Sequence, residues 1–239
     1  MTWRSLTFSS CAILLAALPL AAVDVSGTVQ IRDSAKGQTV KRKDFSGAVL
    51  SFRAVGSPAP AAPAKHAVME QRHKTFVPHV LPVVAGTAID FPNFDPIFHN
   101  AFSRFSGQIF DVGLYAPGTS RTVKFVRTGA VRVFCNIHSD MTAVILVLNT
   151  PNFAVTGKDG SFHVDLPPGS YDVSVFHERA TDETLQGLSQ RIQVADGPVR
   201  LAPIGISEAG YLLAPHKNKY GQDYGPPSDD KVIYPGVRN

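Results

Sequence analysis

The sequence predicts an all-β protein, a sandwich or barrel, and three observations carry that reading. Short runs of apolar and β-branched residues recur along the chain, punctuated by Gly, Pro, Asp and Asn. Helical periodicity is nearly absent. Several runs alternate apolar and polar residues, the period that half-buries a strand. Strands are expected at 25–31, 48–53, 79–84, 88–91, 120–125, 130–135 and 141–148, then at 161–165, 171–177 and 188–194. The stretch 155–177 (VTGKDGSFHVDLPPGSYDVSVFH) shows the logic. Lys158-Asp159-Gly160 is a turn, and Phe162 and Val164 then alternate with His163 and Asp165. Pro167-Pro168-Gly169 turns the chain again, and Tyr171, Val173 and Val175 resume the alternation, so two paired strands follow.

The chain ends and the linkers divide the rest. Arg4 is followed by an apolar run, CAILLAALPLAA, that ends in small residues at Ala22. That is the order of a secretory signal, with cleavage expected before Val23. The alternative is a retained membrane anchor, for which the run is short. Residues 56–65 (GSPAPAAPAK) read as an extended Pro/Ala linker, and Thr150-Pro151 marks a second boundary. The C-terminal end is rich in Gly, Pro, Tyr and charge and has little to bury. The expected organisation is therefore a signal peptide at 1–22, a linker at 56–65 and a boundary near 150. These leave strand-bearing stretches at 23–55, 66–150 and 151–210, and a flexible tail at 211–239. Docking of that tail through Tyr220, Tyr224 and Tyr234 is the alternative.

Composition narrows the function. Hydrophobic content is 44%, and the formal charge of +4 falls by one if Arg4 leaves with the signal. That balance, with no basic run carrying interleaved aromatics, implies no nucleic-acid partner. Nothing after the signal could span a bilayer, so no stable membrane insertion is expected. No G-x-S-x-G, P-loop, H-E-x-x-H or C-x-x-C-H motif occurs, and no catalytic set is visible, so no enzymatic activity is expected. Of the two cysteines, Cys11 belongs to the signal. The exported chain would carry Cys135 alone and could form no internal disulfide.

Cys135 opens the segment Cys135-Asn136-Ile137-His138-Ser139-Asp140-Met141, a C-x2-H-x2-M spacing between two expected strands. A loop that tight can aim a thiolate, an imidazole and a thioether at one point. His99, upstream, is the candidate for a second imidazole. Two His, one Cys and a weak axial Met form the ligand field of a blue-copper electron-transfer site. Zinc is a poor alternative, since a thioether is a weak ligand for it. A buried filler thiol, or a Cys135–His138 nucleophile and base, also remains open. His79 is a lesser candidate as a fifth ligand.

On these residues the stretch from about 75 to 149 resembles a plastocyanin/azurin-type cupredoxin, with a ligand loop similar to the short one of amicyanin. Phe134 before the Cys, Asn100 after His99, and the Gly86-Thr87 turn fit that family. The resemblance implies a Greek-key cupredoxin sandwich holding one copper ion, Cu(I)/Cu(II), through His99, Cys135, His138 and Met141. It implies that Asn100 ties the two ligand loops together near the thiolate. The tight loop itself leaves His138 at the surface as the electron exit and His99 as the more buried ligand, with apolar residues of 91–98 forming a docking patch. The resemblance adds protonation of His138 in the reduced state at mildly acidic pH. The flanking strands, at 23–55 and 151–210, resemble the two parts of a carboxypeptidase regulatory-like domain, a small transthyretin-like β-sandwich, into whose loop the cupredoxin at 66–150 would be inserted. The alternative is that Val25–Arg53 adds strands to the cupredoxin itself. Chains of this two-part type resemble proteins associated with methylamine utilisation. The function expected is that of a periplasmic or secreted type 1 copper protein in electron transfer, with a redox protein partner such as a dehydrogenase or cytochrome. The alternatives are copper binding or delivery without electron transfer, and a structural or adhesion sandwich with a vestigial metal site.

Overall fold

A computed structural model describes residues 21–35, 38–41, 43–104, 107–211 and 216–225. The expected signal falls almost wholly outside these residues, as does Tyr234. The described chain is all-β, with one short helix, Asp182–Gly187. No described helix is long and apolar enough to cross a membrane.

One sandwich is made from both ends of the chain. The long first strand, Val23–Ala35, runs antiparallel to Ser161–Leu166 and parallel to Val199–Arg200 and Ile204–Ser207. In the facing sheet, Val49–Ala54 lies between Phe153–Val155 and Gly169–Phe176, and the latter pairs with Gln190–Val194. Alternate residues meet in one core, including Val25, Val29, Leu50, Phe52, Tyr171, Val173 and Ile206. The chain leaves this sheet at Ala54 and returns at Phe153, which pairs with Ser51.

The intervening residues form the other sandwich. One sheet orders Phe110–Asp111, Phe102–Ser103, Gly129–Phe134, Thr142–Leu148 and Val80–Val84. The other orders Ser120–Phe125, Thr87–Pro92 and Ala67–Val68. Their shared core holds Met69, Ile89, Phe91, Tyr115, Phe125, Val131, Val133 and Ile145, with Cys135 and Met141 at one end.

The Thr142–Leu148 strand is buried along nearly its whole length, and the reason is its position. Ala143, Ile145 and Val147 face the core just described. Leu146 and Leu148 face the other way and join Val49, with Val80, Phe153 and Phe176 against them, where the two sandwiches meet. The 56–65 linker has no regular structure and is largely exposed. It passes close over the Gly86 turn. Gly86 sits at φ 92°, and a Cβ there would lie 2.5 Å from the Ala62 Cβ, so both backbone and space call for glycine.

Candidate metal centre

Local structure brings the ligand candidates together from two loops. Cys135 follows directly on the Gly129–Phe134 strand, and the chain reverses to enter Thr142–Leu148. The Cys135 N–H donates to the Met141 carbonyl (3.1 Å) and the Met141 N–H to the His138 carbonyl (3.2 Å). These two bonds close the loop. His99 is pinned from outside it, exchanging backbone hydrogen bonds with Tyr115 at 3.2 and 2.9 Å.

The Cys135 sulfur, fully buried, lies 3.6 Å from His138 Nδ1 and 3.9 Å from His99 Nδ1. All three donor atoms fall within 4.8 Å of one another. Ligand atoms about 2.0 and 2.3 Å from a shared ion, spread over about 120°, stand about 3.7 Å apart. The donor set therefore fits a small soft-to-borderline ion in a trigonal plane. Met141 is also fully buried, and with His138 it lines a cavity of about 200 Å³ that Lys74 and Tyr224 share.

Charge around the site is tuned by burial and by backbone dipoles. Burial pushes the Cys135 thiol up, while the nearby backbone amides of Ile137, Asn100, His138 and Asn136 pull it down. A thiolate held by a cation would be received by the same four amides. Burial pushes His138 down to about 4, and the neighbouring His99 and Lys74 act in the same direction. His99 is likewise lowered by burial, against the pull of Asp95.

Asp95 is the main addition to the residues expected from sequence. Its Oδ2 meets His99 Nε2 at 2.8 Å, buried on both sides. Asp95 lies below the ordinary carboxylate range. Burial raises it, but the N–H groups of Lys74 and His73 and the His99 ring outweigh that. An ionised Asp95 holds the proton on Nε2 and leaves the Nδ1 lone pair facing the sulfur. The i,i+4 spacing of Asp95 and His99 was visible, but a carboxylate in a Pro-rich loop carries no signal of its own.

Several expectations need correction. The Asn100 backbone amide is among those that pull the Cys135 thiol down. Its side chain turns away, donating to Asp111 Oδ1 and the Gly113 carbonyl at 2.8 Å each, so it braces 111–113 rather than tying the two ligand loops. His79 is no ligand: its Nδ1 meets the Thr142 carbonyl and its Nε2 meets Glu178. Of the 91–98 segment, Phe91 and Ile97 point inward, and Phe94 alone among its large apolar residues is well exposed, with Arg72 over its ring at 4.4 Å. His99 is the more buried imidazole and His138 is half-buried, as the sequence suggested. The segment expected to be a tail is, at 216–225, seated on the ligand loop. Tyr224 and His216 both touch it, whereas Tyr220 is 68% exposed.

No protein-family model matches the sequence, and no curated protein matches it. Among solved structures, part of the chain is similar to a purple cupredoxin from Nitrosopumilus maritimus, at 19% identity, covering 34% of this chain and 99% of that one with a TM-score of 0.33. It is similar to a copper-containing nitrite reductase from Thermus scotoductus SA-01, at 22% identity, covering 41% of this chain and 26% of that one with a TM-score of 0.35. It is also similar to an amicyanin variant in its reduced Cu(I) form at pH 4, at 15% identity, covering 41% of this chain and 98% of that one with a TM-score of 0.34.

Proposed function

We propose that this chain is an exported, mononuclear type 1 copper protein that carries electrons. The observation that carries this reading is the buried Cys135 sulfur facing two imidazole Nδ1 atoms at 3.6 and 3.9 Å, with Met141 closing the same loop. Copper bound there would supply a one-electron Cu(I)/Cu(II) couple. The residues supply the rest. Cys135 and Met141 offer soft sulfur, and His99 and His138 offer nitrogen that suits both oxidation states. The apolar wall of Phe91, Val133 and Ile145 belongs to the same core and keeps water out.

Rigidity supports electron transfer over copper delivery. A donor set fixed by the strand ends, the Tyr115 bridge and Asp95 has little freedom to rearrange when its charge changes. His138, half-buried beside exposed Ile137, is the route between the buried sulfur and a partner at the surface. A small contact around Ile137 would suit a redox protein that must leave after each transfer. A dehydrogenase or a cytochrome is the class of partner this implies.

The test is the visible and spin-resonance spectrum of the copper-loaded protein. An intense thiolate-to-metal charge-transfer band is expected, and Cys135→Ser should abolish it. A colourless wild-type complex, or a band that survives Cys135→Ser, rules the site out.

A further inference from the structure

The C-terminal segment 216–225 grips the ligand loop at three places. The Tyr224 hydroxyl donates to the Cys135 carbonyl at 2.7 Å. His216 Nε2 meets the Ser139 carbonyl at 2.6 Å, and the Lys219 N–H donates to Asn136 Oδ1 at 2.9 Å. The His216 ring also packs on Phe134, with centroids 4.2 Å apart and planes tilted by 31°. Outside the loop, Lys219 Nζ reaches Asp111 Oδ2 at 2.9 Å, and the Arg104 guanidinium donates to the Lys219 carbonyl.

These contacts join residues 77 to 115 positions apart in sequence. Ordering such a segment costs conformational entropy, which this set of hydrogen bonds and ring contacts must offset. The bond from Tyr224 acts at a sensitive point. The Cys135 carbonyl and the Asn136 N–H belong to one planar trans peptide, so they point in opposite directions. Holding the oxygen therefore fixes the direction of that N–H, which adjoins the Cys135 side chain, where the backbone amides around the sulfur bear on its charge. Hydrogen bonds to a metal-bound thiolate withdraw charge from it and tune the couple.

We propose that 216–225 is a strap built into the metal centre, in which Tyr224 is a positioning residue acting through the Cys135–Asn136 peptide, and His216 and Lys219 hold the loop organised before metal arrives. The inference rests on the copper reading for its redox consequence, but its structural half stands on the metal-free protein. The strap also lines the cavity beside His138 and Met141 through Tyr224, so it narrows the approach to the ligands from solvent.

Tyr224→Phe keeps the ring and removes the hydroxyl, and Tyr220→Phe, at an exposed position, is the control. In the metal-free protein, amide hydrogen exchange across 136–141 should be about fivefold to tenfold faster in Tyr224→Phe, the effect of losing about one hydrogen bond. The control should match wild type. In the copper-loaded protein, Tyr224→Phe should keep a charge-transfer band at a shifted wavelength, with a lower reduction potential and faster copper loss to a chelator. His216→Ala should loosen 136–141 in the same exchange experiment. Unchanged exchange in both variants overturns the strap. Faster exchange with an unaltered band and potential overturns the positioning role of Tyr224. If wild type shows no thiolate band, the copper reading fails, and the exchange result still decides whether the strap holds the loop.

Discussion

Asp95 accepts the His73 N–H on Oδ1 at 2.6 Å and the Lys74 N–H on Oδ2 at 2.8 Å, and the same Oδ2 meets the His99 ring. His73 and Lys74 both sit in the left-handed region, at φ 55° and 56°, a conformation that costs about 1–2 kcal/mol per residue. Charge-assisted bonds from the carboxylate offset that cost, so one side chain holds a strained turn and orients a ligand. Asp95→Asn should lower copper affinity about 10- to 100-fold, as loss of an outer carboxylate commonly does, and competition with a chelator would measure it. An unchanged affinity would show that the Tyr115 bridge alone fixes His99. Met141→Gln should retain copper and lower the potential, since the axial ligand tunes the couple; voltammetry reads the shift. At this scale, the Cys135, His138 and Met141 candidates were legible because three ligand types crowd into seven residues. Asp95 and His216 were not, and Tyr224 stood out only as one of three tyrosines that could dock the tail, because ordinary residues become site residues only when loops far apart in sequence meet.

The strands themselves were legible wherever alternation lasted. The expected 120–125 strand coincides with Ser120–Phe125, and 161–165 falls within Ser161–Leu166. Strands of two residues, such as Phe102–Ser103 and Phe110–Asp111, show no period to detect. The Asp182–Gly187 helix was missed for a related reason. Thr181 caps it and two acids open it, but six residues with none buried display no apolar face. The two-faced Thr142–Leu148 strand separates two kinds of damage. Ile145→Ala opens a hole in the core that carries Cys135 and Met141, and should cost about 2–5 kcal/mol in denaturant unfolding. Leu146→Ala lies on the other face, between the sandwiches, and should split the calorimetric transition into two while leaving the ligand loop intact. A single unsplit transition in Leu146→Ala would mean that other contacts couple the halves.

The two sandwiches also meet through charge. His79 Nε2 pairs with Glu178 Oε2 at 2.8 Å, and Arg132 donates to the Glu178 carbonyl at 2.9 Å. The hydrogen bond to Glu178 raises His79 above 6.5, outweighing its burial and the nearby Arg132. Burial raises Glu178, but His79, then His177 and Arg132, bring it below 4.5. The His79 contribution is complete below pH 6.5 and fades as pH rises through its raised value. The Glu178 contribution is complete above pH 4.5 and fades as pH falls through its lowered one. The junction should therefore be firmest between about pH 4.5 and 6.5. Thermal midpoints across pH should show a shallow fall on the alkaline side that His79→Gln flattens. If His79→Gln leaves the profile unaltered, the pair contributes nothing measurable.

The side-by-side departure at Ala54 and return at Phe153 has a consequence for how the molecule is made. Val23–Ala35 and Val49–Ala54 leave the ribosome early, and apart from Gln38–Lys41 beside the end of the first, their sheet partners, from Phe153–Val155 to Ile204–Ser207, come last. Through that interval two apolar strands wait with open edges, a state prone to wrong pairing. The inner sandwich, which carries Cys135, has its own strands in hand by Leu148, so it can close first and draw the two ends together. Its completion shortens the search for the outer partners, because strand ends that begin a hundred residues apart become neighbours. Assembly of the outer sandwich thus depends on a finished inner one, and a chain that fails to close around Cys135 leaves its first strands exposed to aggregation.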